Sequence, residues 1–275
     1  MQQRLPSIFD EPILFAHRGA SAHARENTLP AFSLAQKLGA SGMETDIWIT
    51  SDRQLVLDHD GVVRMGLRKK PIAELKRSQL PSHIPTLDEL VNAVGEDMPL
   101  SIDVKDIAAF GQLSRYKLNQ SMVWLCHPSI EVLKEHRSAL SEFKLVNSSK
   151  LSKMKEGPER RAASLSQHGI DALNMHITDW NGGLVALAHR FGLAAFGWDL
   201  QHPPVILDGL RMGLDAIFSD WVDRMVDAQR ILQSQRASLK GQIKLNARPT
   251  TKSASISPNI RLSKDCGRLS PMTKM

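Results

Sequence analysis

The residues best suited to chemistry lie between Phe15 and Asp60, in the stretch FAHRGASAHARENTLPAFSLAQKLGASGMETDIWITSDRQLVLDHD. His17 and His59 can exchange protons near neutral pH, as no other unperturbed side chain can. Arg18 follows His17 directly and brings a fixed fork of donors suited to anionic oxygen. Glu44 and Asp46 stand two residues apart in the run Met43 to Thr50, which alternates in the manner of a strand. Residues at i and i+2 of a strand face the same way, about 7 Å apart by the strand rise, so the two carboxylates could close on one hard cation.

These groups need elements to hold them. Ile13 to Ala16 is a short apolar run that breaks at His17-Arg18-Gly19. A polar loop follows, then a helix expected from Thr28 to Leu38 and stopped by Gly39. In the next strand Glu44, Asp46 and Trp48 share one face and Met43, Thr45, Ile47 and Ile49 the other. Leu55-Val56-Leu57 is a second apolar run, which ends at Asp58-His59-Asp60-Gly61. Three neighbouring segments thus deliver two histidines and a carboxylate pair.

Four strings occur in order: His17-Arg18-Gly19, Glu26-Asn27-Thr28, Glu44-x-Asp46 and His59-Asp60. Together they resemble the glycerophosphodiester phosphodiesterase family. Fainter matches run through Pro85 to Leu90, Ser101 to Lys105 and Gly213 to Asp220, so the resemblance covers about residues 13 to 228. It implies a TIM-type (β/α)8 barrel and cleavage of a glycerophosphodiester to glycerol 3-phosphate and an alcohol. His17 and His59 become the acid and base pair, with neither role assigned to either residue. The nucleophile is water or the glycerol 2-hydroxyl, by way of a cyclic phosphate. Arg18 and Lys105 grip the phosphate oxygens, and Glu44, Asp46 and Asp103 hold one divalent cation. An all-oxygen set favours Mg²⁺ or Ca²⁺ over Zn²⁺. Glu26 orients Arg18 or reaches the ion, Asn27 is structural, and Trp198 is an apolar wall for glycerol or a packed core residue. His176 and His127, which follow strands at the same end, either touch substrate or are rim histidines without chemistry.

The chain also departs from the family's pattern. Asp103 stands where a glutamate is usual and reaches one methylene less far. Trp198-Asp199-Leu200 and Ser219-Asp220-Trp221 differ from the usual Trp-Thr-Val-Asn and Thr-Asp-x-Pro, and these changes fall in the substrate wall. A phospholipase D-like enzyme of lysolipids or sphingolipids is a neighbouring alternative. A catalytically weak barrel acting as a membrane or nucleic-acid adaptor is a more distant one.

At 275 residues with 42% apolar content, the chain is long enough for one large barrel. Beyond the amino-terminal segment, strands are expected at Leu100 to Val104, Met122 to Cys126, Phe143 to Asn147, Asp171 to Met175, Ala194 to Trp198 and Asp215 to Phe218. Helical patterns separate them. With the strands at Ile13 and Met43 there are eight, which favours a closed barrel over a doubly wound sheet. Thr86 and Glu89 read as a capping box, and Pro71 to Ser78 as a helical turn within a basic excursion over the rim.

The net charge of +6 is unevenly spread. Residues 229 to 275 hold ten Lys or Arg against one acidic residue, whereas residues 1 to 228 hold 25 against 28. The domain reading is a lead-in at 1–12, a barrel at 13–228 and a basic tail at 229–275 that is expected to be disordered, being poor in periodic apolar residues. Nucleic acid is not expected as a partner; weak contact of the tail with a membrane surface is allowed, and the oligomeric state is left open. Two cysteines form no disulfide framework, and no stretch approaches the length of a membrane span, so a soluble cytoplasmic protein is expected.

Overall fold

The computed structural model describes residues 7–66, 68–116 and 118–246. Its contacts divide the chain into a unit of residues 1–235 and a second of residues 236–275. The first unit is a barrel. Its strands in chain order begin with β1 (Ile13–Ala16), β2 (Gly42–Ile49) and β3 (Leu55–Leu57), followed by the hairpin β4 (Val62–Met65) and β5 (Arg68–Pro71). Then come β6 (Leu100–Val104), β7 (Val123–His127), β8 (Lys144–Ser148), β9 (Ala172–His176), β10 (Ala194–Trp198) and β11 (Ala216–Ser219). The eight parallel strands run in the order β1-β11-β10-β9-β8-β7-β6-β2, and a β1–β2 pairing closes the ring. That closure excludes the doubly wound sheet, whose two edges would stay open.

The helices are α1 (Leu29–Leu38), α2 (Leu87–Val94), α3 (Ala108–Leu113), α4 (Ile130–His136), α5 (Pro158–Gln167), α6 (Gly182–Arg190), α7 (Pro203–Met212) and α8 (Val222–Asn246). Local sequence dictates several of their ends. The Thr28 hydroxyl accepts from the Ala31 N–H at the start of α1, and Gly39 ends the helix in the left-handed conformation that a residue without Cβ adopts at little cost. Thr86 and Glu89 form the capping box of α2. The rim excursion departs from expectation, since β4 and β5 form an antiparallel hairpin ahead of two single-turn helices at Ile72–Glu74 and Arg77–Gln79. The tail boundary at 229 also moves, because α8 runs to Asn246; the rest of the basic tail, 247–275, lies outside the described residues. Among the described residues no helix is long and apolar enough to cross a membrane.

Alternation along each strand sorts the core into two layers. Leu14, Met43, Ile47, Ile102, Leu125, Leu145, Leu173 and Ala195 face outward and pack under the helices. Phe15, Trp124, Cys126, Val146, Ala172, Phe196 and Phe218 fill the interior. Phe15 stacks on Phe218 with ring centroids 4.9 Å apart, and Trp124 meets Phe196 edge-on at 4.8 Å. This aromatic plug makes the barrel a solid floor for whatever sits above it. Truncation of Phe196 to alanine should cost about 3–5 kcal/mol of stability, the usual range for a buried ring, and urea unfolding would measure it.

Candidate active site

The inward positions at the carboxyl ends of the strands line a cavity of about 350 Å³ directly above the plug. This is the end of a parallel barrel where functional side chains gather, since every strand there hands over to a loop. His17 and Arg18 come from the turn after β1, Glu44 from β2 and Asp103 from β6. Ser148, Asn174 and Trp198 come from β8, β9 and β10, and Asp199 and Asp220 from the residues just past β10 and β11.

His17 is held at two points. Its Nδ1 lies 2.7 Å from Asp220 Oδ1, which leaves Nε2 turned toward Glu44, 3.9 Å from Oε2. The carboxylate makes Nδ1 the protonated nitrogen of the neutral ring, so Nε2 is the atom free to take up or release a proton. Asp220 is itself fixed by the Ser21 hydroxyl at 2.9 Å and by Gln201 Nε2 at 2.9 Å. Burial pulls the His17 pKa down, but Glu44 and the Asp220 hydrogen bond outweigh it and the net shift is upward. Asp220 responds in the opposite sense: burial raises it, and the bond to His17 more than compensates, so its carboxyl titrates below the usual range.

The turn that carries Arg18 is tightly specified. Arg18 itself has φ of 54°, and Gly19 has φ of 81° with its Cα pressed against α1, where an added Cβ would lie 2.7 Å from the Ala31 carbonyl carbon. Only glycine fits there. The turn aims the Arg18 backbone N–H at Glu44 Oε2, 2.9 Å away, and NH1 at Glu26 Oε2, also 2.9 Å. Arg18 Nε is 3.1 Å from Asp46 Oδ2, near enough to pair ionically but not aligned for a hydrogen bond. Asn27, at φ of 53°, donates from Nδ2 to Asp46 Oδ2 and accepts from the Thr45 hydroxyl. The structural reading of Asn27 is therefore extended, because it also orients a carboxylate of the site.

The three acids expected to hold a cation do meet on one wall, since Asp46 pairs in register with Asp103 and Glu44 stands two residues before Asp46. They meet as an ion-paired set. Lys105 Nζ sits between Asp46 Oδ1 at 3.1 Å and Asp103 Oδ2 at 2.7 Å, and among the described residues no three His, Cys, Asp or Glu side chains form a metal-binding group. The donor chemistry still suits a hard cation, because all three donors are carboxylates. Glu44 is raised to about 7 by its burial and then by the neighbouring charges of Asp46 and Asp103, a cluster whose negative charge is under-neutralised.

His59 departs further from expectation. Because β3 runs antiparallel to β2, the chain turns back and Asp58 bonds the Asp46 carbonyl through its N–H. His59 then projects from the rim, 39% exposed, with Nδ1 2.8 Å from Asp60 Oδ1, and it is not among the residues lining the cavity. Glu26 is half-exposed on Arg18, Trp198 lines the wall, and His176 stands behind it, 4.5 Å away edge to face. His127 accepts the Ser129 N–H beside α4 and serves local structure. Sequence reasoning missed Asp220 as the partner of His17. Its signal was a lone acid just past the last strand, at the end where site residues collect.

A parallel eight-stranded barrel with a histidine–carboxylate pair, two cations and three clustered acids at its carboxyl end defines a barrel built to handle an anionic, proton-demanding substrate. Residues 17–106 match the model of the glycerophosphoryl diester phosphodiesterase family. A glycerophosphodiester phosphodiesterase of Caldanaerobacter subterraneus is 25% identical over 79% of this chain and 98% of its own length. In fold, the chain resembles the glycerophosphodiester phosphodiesterase of Thermotoga maritima, with a TM-score of 0.68, 24% identity, and coverage of 80% of this chain and 99% of that one. It also resembles an Oleispira antarctica phosphodiesterase solved with the product sn-glycerol-3-phosphate, with a TM-score of 0.68, 21% identity, and coverage of 79% and 96%.

Proposed function

We propose that this chain is a metal-dependent phosphoric diester hydrolase that cleaves glycerophosphodiesters to glycerol 3-phosphate and an alcohol, in lipid and glycerol metabolism. The observation that carries this reading is the His17–Asp220 pair, which turns Nε2 into a cavity bordered by Arg18 and the acids Glu44 and Asp103. A phosphodiester anion resists nucleophiles, so its cleavage needs charge neutralisation, a base and an acid. Arg18 and Lys105 neutralise and orient the non-bridging oxygens, Arg18 through its fork. His17 moves the proton at Nε2 while Asp220 holds the ring in one tautomer and stabilises its charged form. His59, on the rim beside Asp60, is the second proton-transfer group, reached by substrate that projects beyond the cavity.

Glu44, Asp46 and Asp103 are the residues that would hold one Mg²⁺ or Ca²⁺, which when bound polarises the phosphoryl oxygen and acidifies a hydroxyl. A cytoplasmic setting belongs to the same proposal. The test is release of glycerol 3-phosphate from a panel of glycerophosphodiesters by the intact chain supplied with either cation. Release from at least one is expected; release from none overturns the reading.

A further inference from the structure

Between β3 and α2 the chain makes a projection that the site does not use. The segment Gly61 to Pro71, GVVRMGLRKKP, holds four cationic residues and no acid. β4 and β5 pair antiparallel within it, with Arg64 directly opposite Lys69 and Met65 opposite Arg68. Like charges set directly opposite across a hairpin repel and destabilise it. Arg64, Arg68, Lys69 and Lys70 are all exposed, and none of them is ion-paired with an acid among the described residues. The repulsion is therefore not offset by the protein itself.

The base of this hairpin is fixed and its far end is uncovered. Ile72 donates its N–H to the Gly61 carbonyl at 2.8 Å, and Val63 and Ile72 are buried in a small apolar cluster with Val56, Leu75, Leu80 and Ile84. At the far end a Cβ built on Gly66 would meet no heavy atom within 4 Å. Val62 is 37% exposed and Met65 39%, two of the five large apolar side chains left exposed among the described residues. One such residue alone is ordinary; two in a single four-residue strand, set among unpaired cations, make a surface of mixed character.

A lipid surface with anionic head groups matches both parts, since its phosphates neutralise the cations and the boundary of its acyl region takes up the apolar side chains. Nucleic acid matches the cations only, because the segment has no aromatic side chain to stack on a base. The charge of the barrel gives the contact a direction. Residues 1–228 hold 25 basic against 28 acidic side chains, so an anionic surface draws this unit by its hairpin and not as a whole. We propose that the β4–β5 hairpin docks the barrel on an anionic lipid surface, with Arg64, Arg68, Lys69 and Lys70 on the head groups and Val62 and Met65 at the edge of the acyl region. The hairpin starts just after Asp60, so docking sets the rim that carries His59 beside the lipid.

The experiment is cosedimentation of the full chain with vesicles of phosphatidylcholine alone and of phosphatidylcholine mixed with phosphatidylglycerol in about equal parts. The intact chain should partition to the anionic vesicles by about tenfold or more over the neutral ones. Joint replacement Arg64→Gln, Arg68→Gln, Lys69→Gln and Lys70→Gln should lower that partition by about tenfold or more, and Met65→Ser alone by about threefold. All five side chains are exposed, so circular dichroism should show the fold unchanged. Should the fourfold variant fold poorly, the pair Arg64→Gln with Lys69→Gln decides, with an expected loss of about threefold or more. Equal partition of the intact chain to both vesicles overturns the proposal. So does a partition that the charge substitutions leave within about twofold, which would hand the contact to the basic tail. Met65→Ser binding as tightly as the intact chain, or duplex DNA bound as tightly as the anionic vesicles and lost with the same substitutions, would make the contact purely ionic and overturn the lipid assignment.

Discussion

Replacement of His17 by alanine is expected to lower kcat for diester hydrolysis by at least two orders of magnitude, the smaller end of what a positioned acid or base contributes. The expectation follows from geometry, because Nε2 is turned toward the acids by a hydrogen bond at Nδ1 and Asp220 is tied down by Ser21 and Gln201. Asp220→Asn should reproduce a smaller share of the loss with the fold unchanged, since an amide can hold the ring but cannot stabilise its charged form. His59→Ala should also cost about two orders of magnitude if His59 is the second proton carrier. The rim position sharpens this comparison. A His59 variant that keeps full rate while the His17 variant loses it would assign both proton transfers to groups inside the cavity. The measurement is steady-state release of glycerol 3-phosphate, with circular dichroism to verify folding.

Removal of divalent cations by a chelator should produce the second large effect, a loss of at least two orders of magnitude in turnover, because charge neutralisation at phosphorus is worth several kcal/mol. The same site should be visible in stability without any turnover. The Glu44 carboxyl is raised to about 7 by burial and by Asp46 and Asp103, so the folded chain holds a proton there that the unfolded chain has released. The stabilisation from this group is therefore present below its ordinary range, near pH 4.5, and is lost as pH rises through about 7, an amount of about 3 kcal/mol. His17 acts in the same sense, since its raised value favours the folded state below about pH 6.5 and that contribution disappears above its folded pKa. A cation among these carboxylates reverses the trend by favouring their ionised forms. Mg²⁺ or Ca²⁺ should thus raise the melting temperature more at about pH 8 than at about pH 5, and Glu44→Gln should remove most of the difference. A melting temperature indifferent to both ions at both pH values would take the cation out of the site.

The sequence by itself determined the periodic features of this protein. Strand alternation placed Glu44 and Asp46 on one face and Met43 and Ile47 on the other, and the structure has the first pair facing the site and the second under the helices. The bounds of β1, β6 and β10, the stop at Gly39 and the capping box at Thr86 were equally legible, because each depends on neighbours within a few residues. Even the eightfold count, and with it the barrel, follows from local repeats. What only the tertiary structure decided are the relations between residues far apart in the chain. Asp220 meets His17 across 203 positions because β1 and β11 are neighbours in the closed ring. Lys105 falls between Asp46 and Asp103 because β2 and β6 pair in one register, which turns three acids into an ion-paired set. His59 is carried to the rim because β3 runs back along β2. Local sequence sets which way a side chain faces along its own element, but the partner it faces depends on closure and register, which the whole chain settles together.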